Sequence, residues 1–367
     1  MDVTKRMAHT GSIGSAAGAG RLDGSGSQQS GIDAFRLVAA FLVVGIHTFP
    51  LASISDGLDF MFTRVFSRIA VPFFLMASGY FILPRFASGD KRTSGSALLK
   101  NLKKTGLIYA AASILFLPVS IYAGHYSGDN VAAVLKKIVF DGTFYHLWYL
   151  PASMIGMLLL YFPVRRFSVR AVLGVSVFLY VLGLFGDSYY GLIAGVPALE
   201  AAYGAAFKLF SYTRNGLLYA PVFLAMGAFA AQGKPGPKAR ACALGFAVSM
   251  LLMFAEGFLL RRGGSQRHDS MYIMLLPCMY FLFGLARSVN GRSRPFLRNV
   301  SMLIYILHPM SIVAVRGAAK VVGLTALLVD NSVGHYLAVC LVTVPAALVI
   351  AALIARIAQW RARSRTA

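Results

Sequence analysis

Ten apolar stretches, each close to the ~20 residues a helix needs to cross a bilayer, alternate with short basic or polar segments. They run approximately from 33 to 53, 60 to 83, 105 to 123, 146 to 163, 171 to 189, 215 to 232, 241 to 260, 270 to 287, 299 to 316 and 335 to 355. The pattern predicts an all-α polytopic membrane protein of about ten transmembrane helices, with the lipid bilayer as its first partner. Positions 11 to 31 carry seven Gly and five Ser without an apolar run, so residues 1–31 are expected to be a disordered tail. Residues 32–355 then form one transmembrane domain, and 356–367 a short basic tail. No loop is long enough for a separate soluble domain, and no internal repeat is present.

Charge orients this array. An even number of spans puts both termini on one side, and 24 of the 35 Lys and Arg fall in the tails, loops and helix ends of that side. The positive-inside bias predicts that both termini are cytoplasmic. Composition agrees with lipid as solvent: 57% of the 367 residues are hydrophobic and 13% charged, against about 25% in soluble proteins. A net charge of +22 would suggest nucleic acid in a soluble domain, but here the cations cluster between apolar runs, so no nucleic-acid partner is expected. Cys242, Cys278 and Cys340 lie inside apolar runs without metal or redox spacing and are expected to pack.

Ionisable groups inside spans cost about 2.5 to 3.5 kcal/mol each on insertion scales, so they mark candidate chemistry. In the first span Arg36 and His47 are eleven residues apart and return to nearly the same helix face, with Asp33 three residues before Arg36 and able to pair with it. Arg64 and Arg68 enter the second span as an i, i+4 pair. Glu256 in the seventh span and His308 in the ninth fall at depths overlapping those of His47 and Arg68, which makes Glu256 a counter-charge candidate for Arg68. His146, Trp148 and Asp187 gather at outer span ends, where Trp and Tyr also form ordinary interfacial belts, and Arg214 and Asn215 face the same side. No phosphate-binding loop, zinc-binding helix or nucleophile elbow is found, and neither a metal nor a permanently bound cofactor is expected.

Taken in order, Arg36 and His47, the run Phe73-Phe-Leu-Met-Ala-Ser-Gly-Tyr80, His146-Leu-Trp-Tyr-Leu150 and Tyr305-Ile-Leu-His308-Pro309 resemble the acyltransferase family three membrane proteins over about 31 to 355. Locally, Ser67-Arg-Ile-Ala-Val-Pro-Phe-Phe74, Gly186-Asp-Ser-Tyr-Tyr-Gly191, Arg214-Asn-Gly216 and His268-Asp-Ser-Met-Tyr272 are similar to the membrane half of the vancomycin-resistance membrane-bound serine racemases.

The resemblance implies an integral-membrane O-acyltransferase of a bacterial-type inner cell membrane, moving an acyl group, often acetyl, from cytoplasmic acyl-CoA to a hydroxyl of an envelope glycan or related small acceptor. On this reading His47, Arg68 and His308 are catalytic, His47 as general base and Arg68 at the developing oxyanion. Arg36, Arg85, Lys91 and Arg92 bind the donor's phosphates. Arg64, His146, Trp148, Asp187 and Glu256 contact the acceptor. Racemases of that type continue into a soluble pyridoxal-phosphate domain, so racemase activity is not expected of a chain ending at Ala367. Their membrane half suggests the rival reading, a transporter of serine or another small polar metabolite.

Overall fold

A computed structural model describes residues 30–87, 91–232, 237–264, 266–289 and 291–364. The expected N-terminal tail falls almost wholly outside these residues. Among the described residues the chain is helical, with no strand. The helices are α1 (Ser30–Thr48), α2 (Asp56–Asp59), α3 (Ala70–Phe86), α4 (Lys91–Tyr122), α5 (Val131–Lys136), α6 (Tyr149–Tyr161), α7 (Pro163–Arg166), α8 (Val169–Leu184), α9 (Pro197–Leu209), α10 (Ala220–Ala230), α11 (Ala239–Gly263), α12 (Leu275–Ser288), α13 (Pro295–Val321) and α14 (Ser332–Arg363). Among the described residues six helical stretches are long and apolar enough to cross a membrane: Ser30–Thr48, Asp56–Phe86, Arg92–Tyr122, Ala239–Gly263, Pro295–Val321 and Ser332–Arg361. Val169–Leu184, Ala220–Ala230 and Leu275–Ser288 are apolar but shorter. Leu244, Leu251, Leu341 and Val349 face outward and exposed, as lipid-facing side chains do. The molecule is a multi-pass membrane protein.

Local chemistry sets several helix ends. The Ser168 hydroxyl accepts from the Ala171 N–H at 3.2 Å and starts α8, and Gly264 closes α11 in the left-handed region at φ 63°. The bundle centre is built on α3 and α10. A Cβ on Gly79 would lie 2.0 Å from the Leu224 carbonyl oxygen, and one on Gly227 would lie 2.0 Å from that of Met76, so paired glycines let the two backbones touch. All three cysteines are unpaired, with Cys242 and Cys278 buried, in keeping with packing roles.

The second predicted span departs from a regular helix at the two arginines. It begins as α2, passes through a π-helical turn at Phe60–Val65 and a 3-10 turn at Phe66–Ile69, and only then becomes α3. Arg64 lies in the π turn and Arg68 in the 3-10 turn, so the simple i, i+4 geometry read from sequence does not apply. The Arg64 carbonyl accepts the Tyr272 hydroxyl at 2.9 Å and Arg68 Nε at 3.4 Å, which bonds irregular backbone inside an apolar bundle.

Candidate functional site

At one end of the bundle the first two turns of α1 carry Asp33 and Arg36. Arg36 Nη1 donates to Asp33 Oδ1 at 3.1 Å, the pair expected from sequence. Asp33 Oδ2 accepts from the Arg294 N–H at 2.8 Å and the Ser293 hydroxyl at 3.2 Å, so the same carboxylate ties α1 to the segment entering α13. The Arg36 guanidinium lies 5.4 Å from the centre of the Phe81 ring, one turn before Arg85 on α3. Arg85 and Arg92 are exposed at this end, and the side chain of Lys91 lies outside the described residues. Beside Arg85 an apolar recess opens between Leu83, Pro84, Val164, Val169, Ala228 and Gln232.

Further along α1, three imidazoles from distant parts of the chain meet. The His47 ring stacks on His308 with centroids 5.2 Å apart and planes 22° apart, and His146 meets His308 edge-on, also at 5.2 Å. Tyr145 closes on His47 at 4.8 Å. The sequence explains the state of His308. Pro309 has no N–H, so it supplies no helical donor to the Tyr305 carbonyl four residues earlier. His308 Nδ1 lies 2.9 Å from that oxygen. A carbonyl can only accept, so Nδ1 carries the proton and the neutral ring leaves its lone pair on Nε2. Nε2 is buried and has no hydrogen-bond partner. The Tyr305 hydroxyl donates to the His146 carbonyl, fixing the segment before α6 against α13. Among the described residues no three His, Cys, Asp or Glu, these imidazoles included, are placed to hold a metal ion.

Tyr149 and Tyr305, 5.6 Å apart, stand between the Arg36 end and the histidines. Immediately beyond His47 and Thr48, Phe49 sits at φ 51°, an uncommon backbone conformation for a non-glycine residue, and the Arg64 guanidinium lies 5.4 Å from its ring.

The far end gathers the remaining candidates. Arg68 is 7% exposed, lies close enough to His47 to act on its charge, and leaves Nη2 buried without a partner. Arg214 shares that neighbourhood, with its guanidinium 5.2 Å from the Trp148 ring and 4.7 Å from Tyr212. Trp148 is 9% exposed, so it is a wall of the site and not part of a lipid-facing aromatic belt. Asp187 Oδ1 accepts from the N–H groups of Ser270 and Met271 at 2.7 and 2.9 Å and from the Ser188 hydroxyl at 3.0 Å. His268, between α11 and α12, stays neutral: burial first, then the charges of Arg214, Arg68, Arg64 and Arg267, push its pKa down to about 3.

Glu256 is a correction. It is not the counter-charge of Arg68: Oε1 accepts from the Tyr189 hydroxyl at 2.7 Å and the Ile273 N–H at 2.6 Å, and Oε2 from the Met274 N–H at 2.9 Å. Its carboxylate caps the entry to α12, satisfying amide donors that a helix start leaves open. The structure thus gathers His47, His146, His308, Arg68, Trp148 and Asp187 toward one region, with Arg64 at its edge, and spends Glu256 on structure. Sequence reading gave Arg214 only a place on the rim and missed Tyr305. The His308-Pro309 dipeptide was the available signal for Tyr305, because it predicts an open carbonyl four residues before the proline.

Similarity to known proteins is consistent along the whole bundle. The family model of an acyltransferase domain matches residues 29–352. Two proteins of Enterococcus faecalis named amino-acid racemase are each 39% identical, over 336 and 296 residues, covering 91% and 79% of this chain and 46% and 42% of their own. A serine/alanine racemase of Enterococcus gallinarum is 33% identical over 319 residues, 86% of this chain and 45% of its own. The chain therefore spans less than half the length of these relatives. No solved structure matches it.

Proposed function

The chain belongs to the acyltransferase family three membrane proteins, and from that premise we propose that it is an O-acyltransferase of the bacterial inner membrane. It takes an acyl group, acetyl in the simplest case, from cytoplasmic acyl-CoA and delivers it to a hydroxyl of an envelope glycan or related acceptor. In this reading ten helices span the bilayer, including the shorter α6, α8, α10 and α12, and both termini are cytoplasmic. The Arg36 end then faces the donor.

The observation that carries the proposal is the stacked His47–His308 pair, inside a bundle that the acyltransferase model matches almost end to end. Acyl transfer to a hydroxyl needs a base for the acceptor proton and a donor for the oxyanion that forms as the thioester carbonyl is attacked. His47 removes the proton. His308, its tautomer held by the Tyr305 carbonyl, orients the stacked imidazole and offers Nε2 to a proton in transit. The positive charge of Arg68 stabilises the oxyanion, and the thiolate of coenzyme A leaves as the ester forms. Arg36, Arg85 and Arg92 receive the donor's phosphates, with the apolar recess beside Arg85 accommodating the less polar part of the donor.

The racemase names belong to proteins of which this chain matches under half, and the proposal concerns the shared part. None of these three relatives is named as a transporter, and nothing in the comparisons supports the transport reading. Thioester consumption by the purified protein, with acyl-CoA and envelope glycan fractions as acceptor, tests the proposal. Protein-dependent product from acyl-CoA supports it; serine flux into proteoliposomes without acyl-CoA, and no thioester consumption, would overturn it.

A further inference from the structure

Three buried polar atoms have no hydrogen-bond partner: Arg68 Nη2 in the 3-10 turn before α3, Asp187 Oδ2 in the segment after α8 and Arg214 Nε in the segment before α10. They belong to side chains close enough for each charge to act on the other two. Neither arginine is in an ion pair among the described residues, so Asp187 and Arg214 are neighbours that do not close on each other. An apolar bundle rarely tolerates two open guanidinium donors and an open carboxylate oxygen, since each lost hydrogen bond in such a setting is expensive. Aromatic contacts with Trp148 and Tyr212 hold Arg214 in place, and three hydrogen bonds to Oδ1 hold Asp187. The open atoms therefore sit on rigid supports.

We infer that Arg68 and Arg214 bind the carboxylate of a small hydroxyl-bearing acid, whose own O–H donates to Asp187 Oδ2. The inference rests on the acyltransferase reading and names the acceptor's class. Two unpaired N–H donors match the two oxygens of a planar carboxylate, and a single anionic charge is what a buried Asp187 nearby permits. A phosphate dianion would place two further negative charges against that carboxylate and would leave more oxygens than there are open donors. A neutral sugar hydroxyl would leave both guanidinium groups without a counter-charge. Arg68 and Arg214 both lie close enough to His47 to act electrostatically on it, so a hydroxyl adjacent to the bound carboxylate comes within the neighbourhood of the proposed base.

The protein carries its own reporter. Only two tryptophans are present, Trp148 against Arg214 and the exposed Trp360 on α14, so Trp360→Phe leaves emission from the site alone. In this background the detergent-purified protein is titrated with glycolate, acetate, inorganic phosphate and chloride at constant ionic strength, without acyl-CoA. Glycolate is expected to give a saturable change, acetate a weaker one, and chloride none. Arg214→Gln is expected to weaken glycolate binding by roughly tenfold or more, the range of a charge-assisted hydrogen bond, with Arg214→Lys in between. Arg68→Gln provides a second variant should Arg214→Gln fail to fold. The absence of a saturable glycolate response in the parent protein, or saturation by phosphate in preference to glycolate, would overturn the inference. Because no donor is needed, its failure is separable from that of the acyltransferase proposal, which thioester consumption with a neutral glycan would still support.

Discussion

His47 and His308, 261 positions apart in the chain, stack at 5.2 Å inside the bundle, and a backbone carbonyl fixes the protonation of the second ring. Replacing His47 by Ala is expected to lower acyl-transfer turnover by about 10² to 10⁴-fold, the usual size of lost acid–base help, with near-normal expression and acyl-CoA binding. His308→Ala should lower it as well, and the double variant should cost much less than the product of the single losses, because the rings act as one unit. Single-turnover kinetics measure this; normal turnover in His47→Ala would leave the stack a packing feature.

At the Arg36 end, acyl-CoA affinity is expected to fall in the order wild type, Arg36→Lys, Arg36→Ala, with a loss on the order of 1.5 to 3 kcal/mol for Ala. Asp33 already holds one guanidinium nitrogen, so the structure also supplies the competing explanation. Asp33→Asn separates them: it weakens the tie to Ser293 and Arg294 and should lower thermal stability while the guanidinium remains for the donor. Calorimetry with folded variants decides, and unchanged affinity in Arg36→Ala would pass the phosphate role to Arg85 and Arg92.

The contact between α3 and α10 predicts that Gly79→Ala destabilises by about 1 to 3 kcal/mol, because the added Cβ meets backbone and not a side chain that can swing away. Gly174→Ala, whose Cβ would meet nothing within 4 Å, should be tolerated. Melting temperatures in a single detergent compare the two.

His268 gives a pH prediction. Its folded pKa of about 3 lies below the unfolded value of about 6.5, so the unfolded chain takes up a proton first as pH falls. Stability linked to this residue is intact above about pH 6.5 and declines between about 6.5 and 3. His268→Asn should flatten the fall in melting temperature across that window. An unaltered pH profile would show that His268 is free to titrate in the folded protein.

The proposed topology places residues 1–31 and 356–367 in the cytoplasm. Single cysteines introduced into each tail of a cysteine-free protein should resist an impermeant thiol reagent added to intact cells and react after lysis. Labelling of either tail from outside would reverse the orientation.

The sequence by itself determined the all-helical, membrane-embedded class, because spans of apolar residues between basic segments have few other solvents. It also exposed Asp33 and Arg36, whose three-residue spacing puts them in reach on any helix, and the individual histidines and arginines, which stand out in an apolar background. Tertiary structure alone decided which of these meet. His47, His146 and His308 come from three separate segments, and helix neighbours are set by packing that no local spacing encodes. The same holds for Glu256, whose partners Tyr189, Ile273 and Met274 come from other segments, so its assignment to Arg68 by depth could not survive. The break at Phe60–Ile69 was equally hidden, since Arg64 and Arg68 have ordinary helical spacing in sequence. Tyr272, 208 residues from Arg64, bonds the irregular backbone there, and that long-range bond is what makes the non-helical course affordable inside an apolar bundle.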